Sequence, residues 1–232
     1  MSEDPPDTPA ERASRQETLQ LLRAGNDPVL DKKMNDLQEA YEQGMISDES
    51  LFHSFRAFYD TDPLLEGKYQ AWVAAYPKSY AAHLAHSTYY RILAAEAGGK
   101  KYAHQTPSAR FREMDKLLAK AMDKNNASMS MTSKPLLTYY AILWATAHYE
   151  DRKLANKMLS EANCIDPKNF VVRYQYLFNT QTRWGGSLQE MQACRDEAVK
   201  AGLSDSQVAL FDKLIAEERD WLRKNQRLTS DF

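Results

Sequence analysis

The chain is poor in the features that brace small secreted domains or build sheets: its 232 residues include two cysteines and eight glycines. Both cysteines, Cys164 and Cys194, sit in helical patterns, where a thiol behaves as a small hydrophobe, so both are expected to be reduced. Few glycines, and no run of alternating apolar and polar residues, argue against strands. No stretch reaches the ~18 consecutive apolar residues of a membrane helix. The opening MSEDPPDTPAERASRQ has neither the basic nor the apolar region of a secretory signal. A cytoplasmic protein with no membrane partner is expected. Neither charge sign dominates: 30 basic against 32 acidic residues leave a formal charge of −2, too little to recommend nucleic acid.

What the chain does have is helix punctuation. At this length it can bury roughly 70–75% of the surface of its unfolded form, so it needs no metal or disulfide. Residues 1–7, with their prolines and acids, read as a disordered leader. Thr8-Pro9-Ala10-Glu11 supplies an N-cap, a first-turn proline and a capping-box glutamate for a helix running to about Gly25. Asp27-Pro28 opens a second, whose Leu30, Met34, Leu37 and Tyr41 form one apolar stripe. Ser47 starts a third, with Leu51, Phe52, Phe55, Phe58 and Tyr59 burying its aromatic-rich face, and Asp62-Pro63 a fourth that stops before Pro77.

A fifth helix, about 78–97, is rich in alanine and tyrosine and ends at Gly98-Gly99. Lys100 to Thr106 reads as a polar connection. A sixth helix begins near Pro107, carries Phe111, Met114, Leu118 and Ala121 on one face, and exits at Asn125-Asn126. From Pro135 the pattern places helices at about 135–150, 152–164, 167–182, 187–201 and 204–226, the last two opened by capping boxes at Ser187/Glu190 and Ser204/Gln207. The fold class is therefore all-α: about eleven helices, paired as antiparallel hairpins by short turns and stacked as a superhelix. One domain spans 8–226, followed by a tail at 227–232.

The Asp-Pro starts at Pro28 and Pro63 lie 35 residues apart, and Pro135 and Pro167 lie 32 apart, bracketing the tetratricopeptide period of about 34. Residues 136–169 resemble a degenerate tetratricopeptide (TPR) repeat, with Ala155, Leu159, Ala162 and Pro167 at the consensus positions of its second helix and exit. Leu143 and Thr146 stand where that pattern has glycine and tyrosine. Tyr76-Pro77-Lys78-Ser79-Tyr80-Ala81-Ala82 and Arg183-Trp184-Gly185-Gly186-Ser187 together resemble the bacterial domain-of-unknown-function family numbered four thousand and thirty-four, whose members are TPR-like. That resemblance implies no established activity. Its members' setting beside secreted toxins implies an immunity or adaptor role.

Two places carry candidate binding residues. Ser79, His83, His86 and Tyr90, at helical spacing, make a polar stripe that could line a groove, against the alternative of a partly exposed face without a role. His83 and His86 could also fill two corners of a zinc site, but no third ligand stands at a familiar spacing, so no metal or cofactor is expected. The Arg183-Trp184-Gly185-Gly186-Ser187 turn reads first as a structural corner, and Arg183 and Trp184 are also residue types enriched at binding hot spots. In each of the pairs Tyr89-Tyr90 and Tyr139-Tyr140, one ring is expected to be less buried than the other. Glu217, Glu218 and Asp220 read as ordinary surface.

No phosphate-cradling glycine loop, GxSxG elbow or cysteine–histidine pair is present. The expected function is a non-catalytic protein-binding scaffold, most specifically a bacterial immunity or adaptor protein bound to a cognate toxin or effector. The alternatives are an enzyme with a His/acidic site assembled in space and a structural protein that self-associates through its last helix.

Overall fold

A computed structural model describes residues 8–99 and 107–229; the expected leader at 1–7, the connection at 100–106 and the end of the tail lie outside the described residues. Among the described residues there are eleven α-helices and no strand. They form two compact units, residues through Ala141 and residues from Ile142. The division falls inside α7 (Leu136–Tyr149).

In the N-terminal unit, α1 (Pro9–Ala24) starts as its sequence dictates, with Thr8 and Glu11 each bonding the other's backbone amide. It packs on α2 (Asp27–Glu42), α3 (Asp48–Phe55) and α4 (Leu65–Ala75), while α5 (Tyr80–Gly98) packs on α2, α4 and α6 (Ser108–Ser128). Leu22, Leu30, Met34, Leu51, Phe58, Tyr69 and Trp72 are fully buried. Trp72 keeps its indole donor satisfied by Asp31 Oδ1 at 2.9 Å. Leu37 is only half-buried, and Gln38 takes its place in the interior. The amide there donates to the Lys134 carbonyl at 3.0 Å and to Glu42 Oε1 at 3.0 Å, tying α2 to the loop before α7.

Two element boundaries depart from the sequence pattern for local reasons. The third helix tightens into a 3-10 turn at Arg56–Tyr59, so its last aromatics sit on tighter winding. α6 continues past Asn125-Asn126 because Asn125 and Ser128 are buried, and Ser128's hydroxyl is satisfied by Asn125 O and Thr138 Oγ1 at 3.0 and 2.9 Å.

In the C-terminal unit, α8 (Arg152–Ile165), α9 (Val171–Asn179), α10 (Leu188–Lys200) and α11 (Asp205–Thr229) each pack on the next, and α11 also touches α9. Such nearest-neighbour packing is what short turns between amphipathic helices produce. Ala155, Ala162 and Ala198 are buried small residues that let the axes approach, and Phe211, Leu214 and Ile215 close the core from α11. The helix expected over 167–182 is shorter, because Asp166 accepts the Lys168 amide at 3.0 Å and holds the chain in a turn. α11 runs to Thr229, into the expected tail.

Neighbouring residues on α2 test the burial argument directly: Leu30 is 0% exposed and Val29 is 51% exposed. Urea denaturation is expected to show Leu30→Ala losing about 2–5 kcal/mol. Val29→Ala should stay within about 0.5 kcal/mol.

Candidate functional site

The polar stripe on α5 does not line an open groove. Ser79, His83, His86 and Tyr90 are all buried, because α5 is covered along its whole length from Tyr80 to Arg91. Ser79 is its N-cap, accepting from the Ala82 amide at 3.2 Å and from Asn35 Nδ2 at 2.9 Å. His83 Nε2 lies 3.2 Å from the Pro77 carbonyl, which can only accept, so that nitrogen carries the proton. Tyr90 donates to Glu66 Oε1 at 2.8 Å, and Lys120 reaches the same oxygen at 3.2 Å with its ammonium 4.9 Å from the Tyr90 ring. Tyr90's hydroxyl and then Lys120 hold Glu66 below its ordinary range, against the opposing pull of burial. The stripe joins α5 to α4 and α6. Tyr89 is as buried as Tyr90, so that pair is not split. In the other pair Tyr139 is buried and Tyr140 is half-buried.

His86 is the unusual member. Its ring lies between Tyr69 and Tyr90, centroids 5.5 and 4.5 Å away and nearly parallel, and neither nitrogen has a hydrogen-bond partner among the described residues. Burial, with Lys124 adding to it, pushes its pKa down to about 3, so the imidazole is neutral. Among the described residues no three His, Cys, Asp or Glu side chains gather as metal ligands. Cys194 is buried, and desolvation pushes its thiol up to about 12, which leaves almost no thiolate at neutral pH.

The sequence pattern overlooked Arg91, which is 4% exposed. It stacks on the rings of Tyr59 and Tyr140, 5.3 Å from each centroid, and donates to Tyr59 OH at 3.2 Å. A charge in this position became legible only once tyrosines from two other elements were seen around it.

The second candidate, Arg183 with Trp184, is a built corner. The carboxylate of Glu218 on α11 is fully buried; it accepts the Thr182 amide at 2.9 Å, Gln181 Nε2 at 3.0 Å, Arg183 Nη2 at 2.9 Å and the Thr182 hydroxyl. Burial by itself would raise this carboxyl, but the donors from Thr182 and Arg183 outweigh it and lower the pKa. Glu218 is therefore an anchor and not ordinary surface. Arg183 also lies 5.2 Å above the Trp221 ring. Gly185 adopts φ +78°, which favours glycine, and a Cβ at Gly186 would run into the Thr180 carbonyl oxygen, so Gly186 is required sterically.

Trp184, in contrast, remains 38% exposed, its ring 6.4 Å from that of Phe178. It lines a small, open depression with Tyr176, Asn179, Glu150, Asp151 and Arg152. Glu150, at the end of α7, has φ +52°, a left-handed conformation costly to a side-chain-bearing residue. The Asp151 amide returns to Thr146 O at 3.1 Å and closes the helix end around it. No protein-family model, curated protein or solved structure matches the chain.

Two measurements test these assignments. The ordinary His pKa of 6.5 falls to about 3 in the fold. Between those values the unfolded chain binds the extra proton, so stability is intact above 6.5 and is lost as pH falls toward 3. The slope is on the order of 1.4 kcal/mol per pH unit, and His86→Phe, which keeps the stacking, should flatten it between pH ~6.5 and ~5 in denaturant titrations. At the corner, Gly186→Ala is expected to cost about 3 kcal/mol and Gly185→Ala about 1 kcal/mol in the same assay, because the first meets backbone and the second only a disfavoured φ.

Proposed function

We propose that this protein is a non-catalytic scaffold that binds another protein, through TPR-like helical hairpins and with Trp184 as an anchor. The observation that carries this reading is a large aromatic side chain left 38% exposed on a corner that a fully buried carboxylate and a sterically required glycine, Gly186, hold in place. Exposed tryptophan is a residue type over-represented among binding hot spots, and an anchor held rigid before binding loses little entropy on docking. Packing of α8 to α11 each on the next supports the TPR-like description of the C-terminal unit.

The more specific form of the proposal is a cytoplasmic bacterial immunity or adaptor protein that sequesters a cognate secreted toxin or effector. Its support is the likeness of the Tyr76–Ala82 and Arg183–Ser187 segments to a TPR-like bacterial family. Among the described residues no helix is long and apolar enough to cross a membrane.

Co-purification with the products of adjacent genes tests both levels. A neighbour-encoded effector should be retained by the wild-type chain and bound roughly 30-fold more weakly by Trp184→Ala, with circular dichroism unchanged. Failure of every adjacent gene product to bind would sink the immunity reading. Undiminished binding by Trp184→Ala would remove Trp184 as the anchor.

A further inference from the structure

We infer that the depression beside Trp184 receives a cationic side chain, lysine or arginine, from the docked polypeptide. This inference rests on the proposed binding role and specifies the chemistry of its contact. The space is a small, open surface depression with no room to enclose a small molecule, so what it offers is contact with the end of a single side chain laid across its walls.

Its walls select charge. Trp184 presents an exposed indole, the aromatic surface that attracts cations most strongly. Glu150 and Asp151 line the same space; both are exposed, and among the described residues neither forms an ion pair. Asp151 Oδ1 accepts the Leu154 amide at 2.9 Å, so the first turn of α8 draws on this carboxylate, while Glu150 sits at the carbonyl end of α7, whose partial negative charge also favours a cation. The cation among the lining residues, Arg152, already pairs with Glu190 at 3.5 Å. Tyr176 donates its hydroxyl to Asn156 at 2.6 Å and adds a second ring to the lining. The aliphatic stem of a lysine or arginine would lie along the rings while its charge meets the two carboxylates. An acidic side chain would meet uncompensated negative charge there.

The test uses the full chain and a display library of random peptides. Selected peptides are synthesised and titrated against the wild type, Trp184→Ala and the double variant Glu150→Gln/Asp151→Asn, in which Asn retains the capping oxygen. Selection of peptides bearing Lys or Arg beside an apolar residue is expected. Their affinity should fall at least tenfold in the double variant, fall similarly when the cation is replaced by norleucine, and weaken with added salt. Peptides that need Trp184 but carry no cation, and bind the double variant as tightly, would overturn the charge inference and leave the docking role standing. If no peptide binds in a Trp184-dependent way, both the inference and the docking role fail.

Discussion

A carboxylate taken out of water has to find donors, and in the C-terminal unit that requirement organises everything around Trp184. Glu218 sits on the inner face of α11 among apolar residues, where an ionised group is tolerable only if its oxygens are hydrogen-bonded. The donors come from Gln181, Thr182 and Arg183, so the segment after α9 is drawn onto α11 and turned sharply through Gly185 and Gly186. The next side chain in that segment, Trp184, is left facing out. The exposure of Trp184 is thus a by-product of satisfying a buried charge, and the backbone that carries it is held from the same source.

The N-terminal unit handles buried polarity differently. α5 carries its polar groups into an interior enclosed by other helices, and most find partners: Ser79 caps, His83 meets a carbonyl, Tyr90 meets Glu66. Among the described residues His86 finds only two ring faces. Stacking supplies contact area but no hydrogen bond, which keeps the imidazole neutral and makes this core sensitive to protons where the other unit's anchor is sensitive to loss of its donors. Arg91 is accommodated by a third means, stacking between tyrosines that offer π-electrons and a hydroxyl oxygen.

Exposed tryptophan and strained backbone meet at one place. Glu150 ends α7 in a conformation that glycine would adopt more easily, and it borders the same depression as Trp184. Retaining a charged side chain at a position suited to glycine costs stability and keeps a carboxylate beside the indole, which is the combination a cation-accepting contact requires.

Helix identity was determined by sequence alone wherever it depended on neighbours within a turn or two. Thr8 with Glu11, Ser187 with Glu190 and Ser204 with Gln207 specify helix starts through bonds three residues long, and they appear where the spacing places them. The Leu30, Met34 and Tyr41 face is buried for the same reason, period matching geometry. The sequence also held a sign that α5 is enclosed: from Ser79 to Tyr90 it has no Asp, Glu, Lys or Arg. Tertiary structure alone decided which polar residues are interior. Glu218 and Asp220 look alike along the chain, but one meets four donors brought from 35 to 37 residues away and the other stays exposed, paired with Arg223 one turn along the same helix. Ser79 to Tyr90 reads as an amphipathic stripe until helices on several sides cover it. Local periodicity reports which face a residue occupies on its own helix; what lies opposite that face is set by long-range packing.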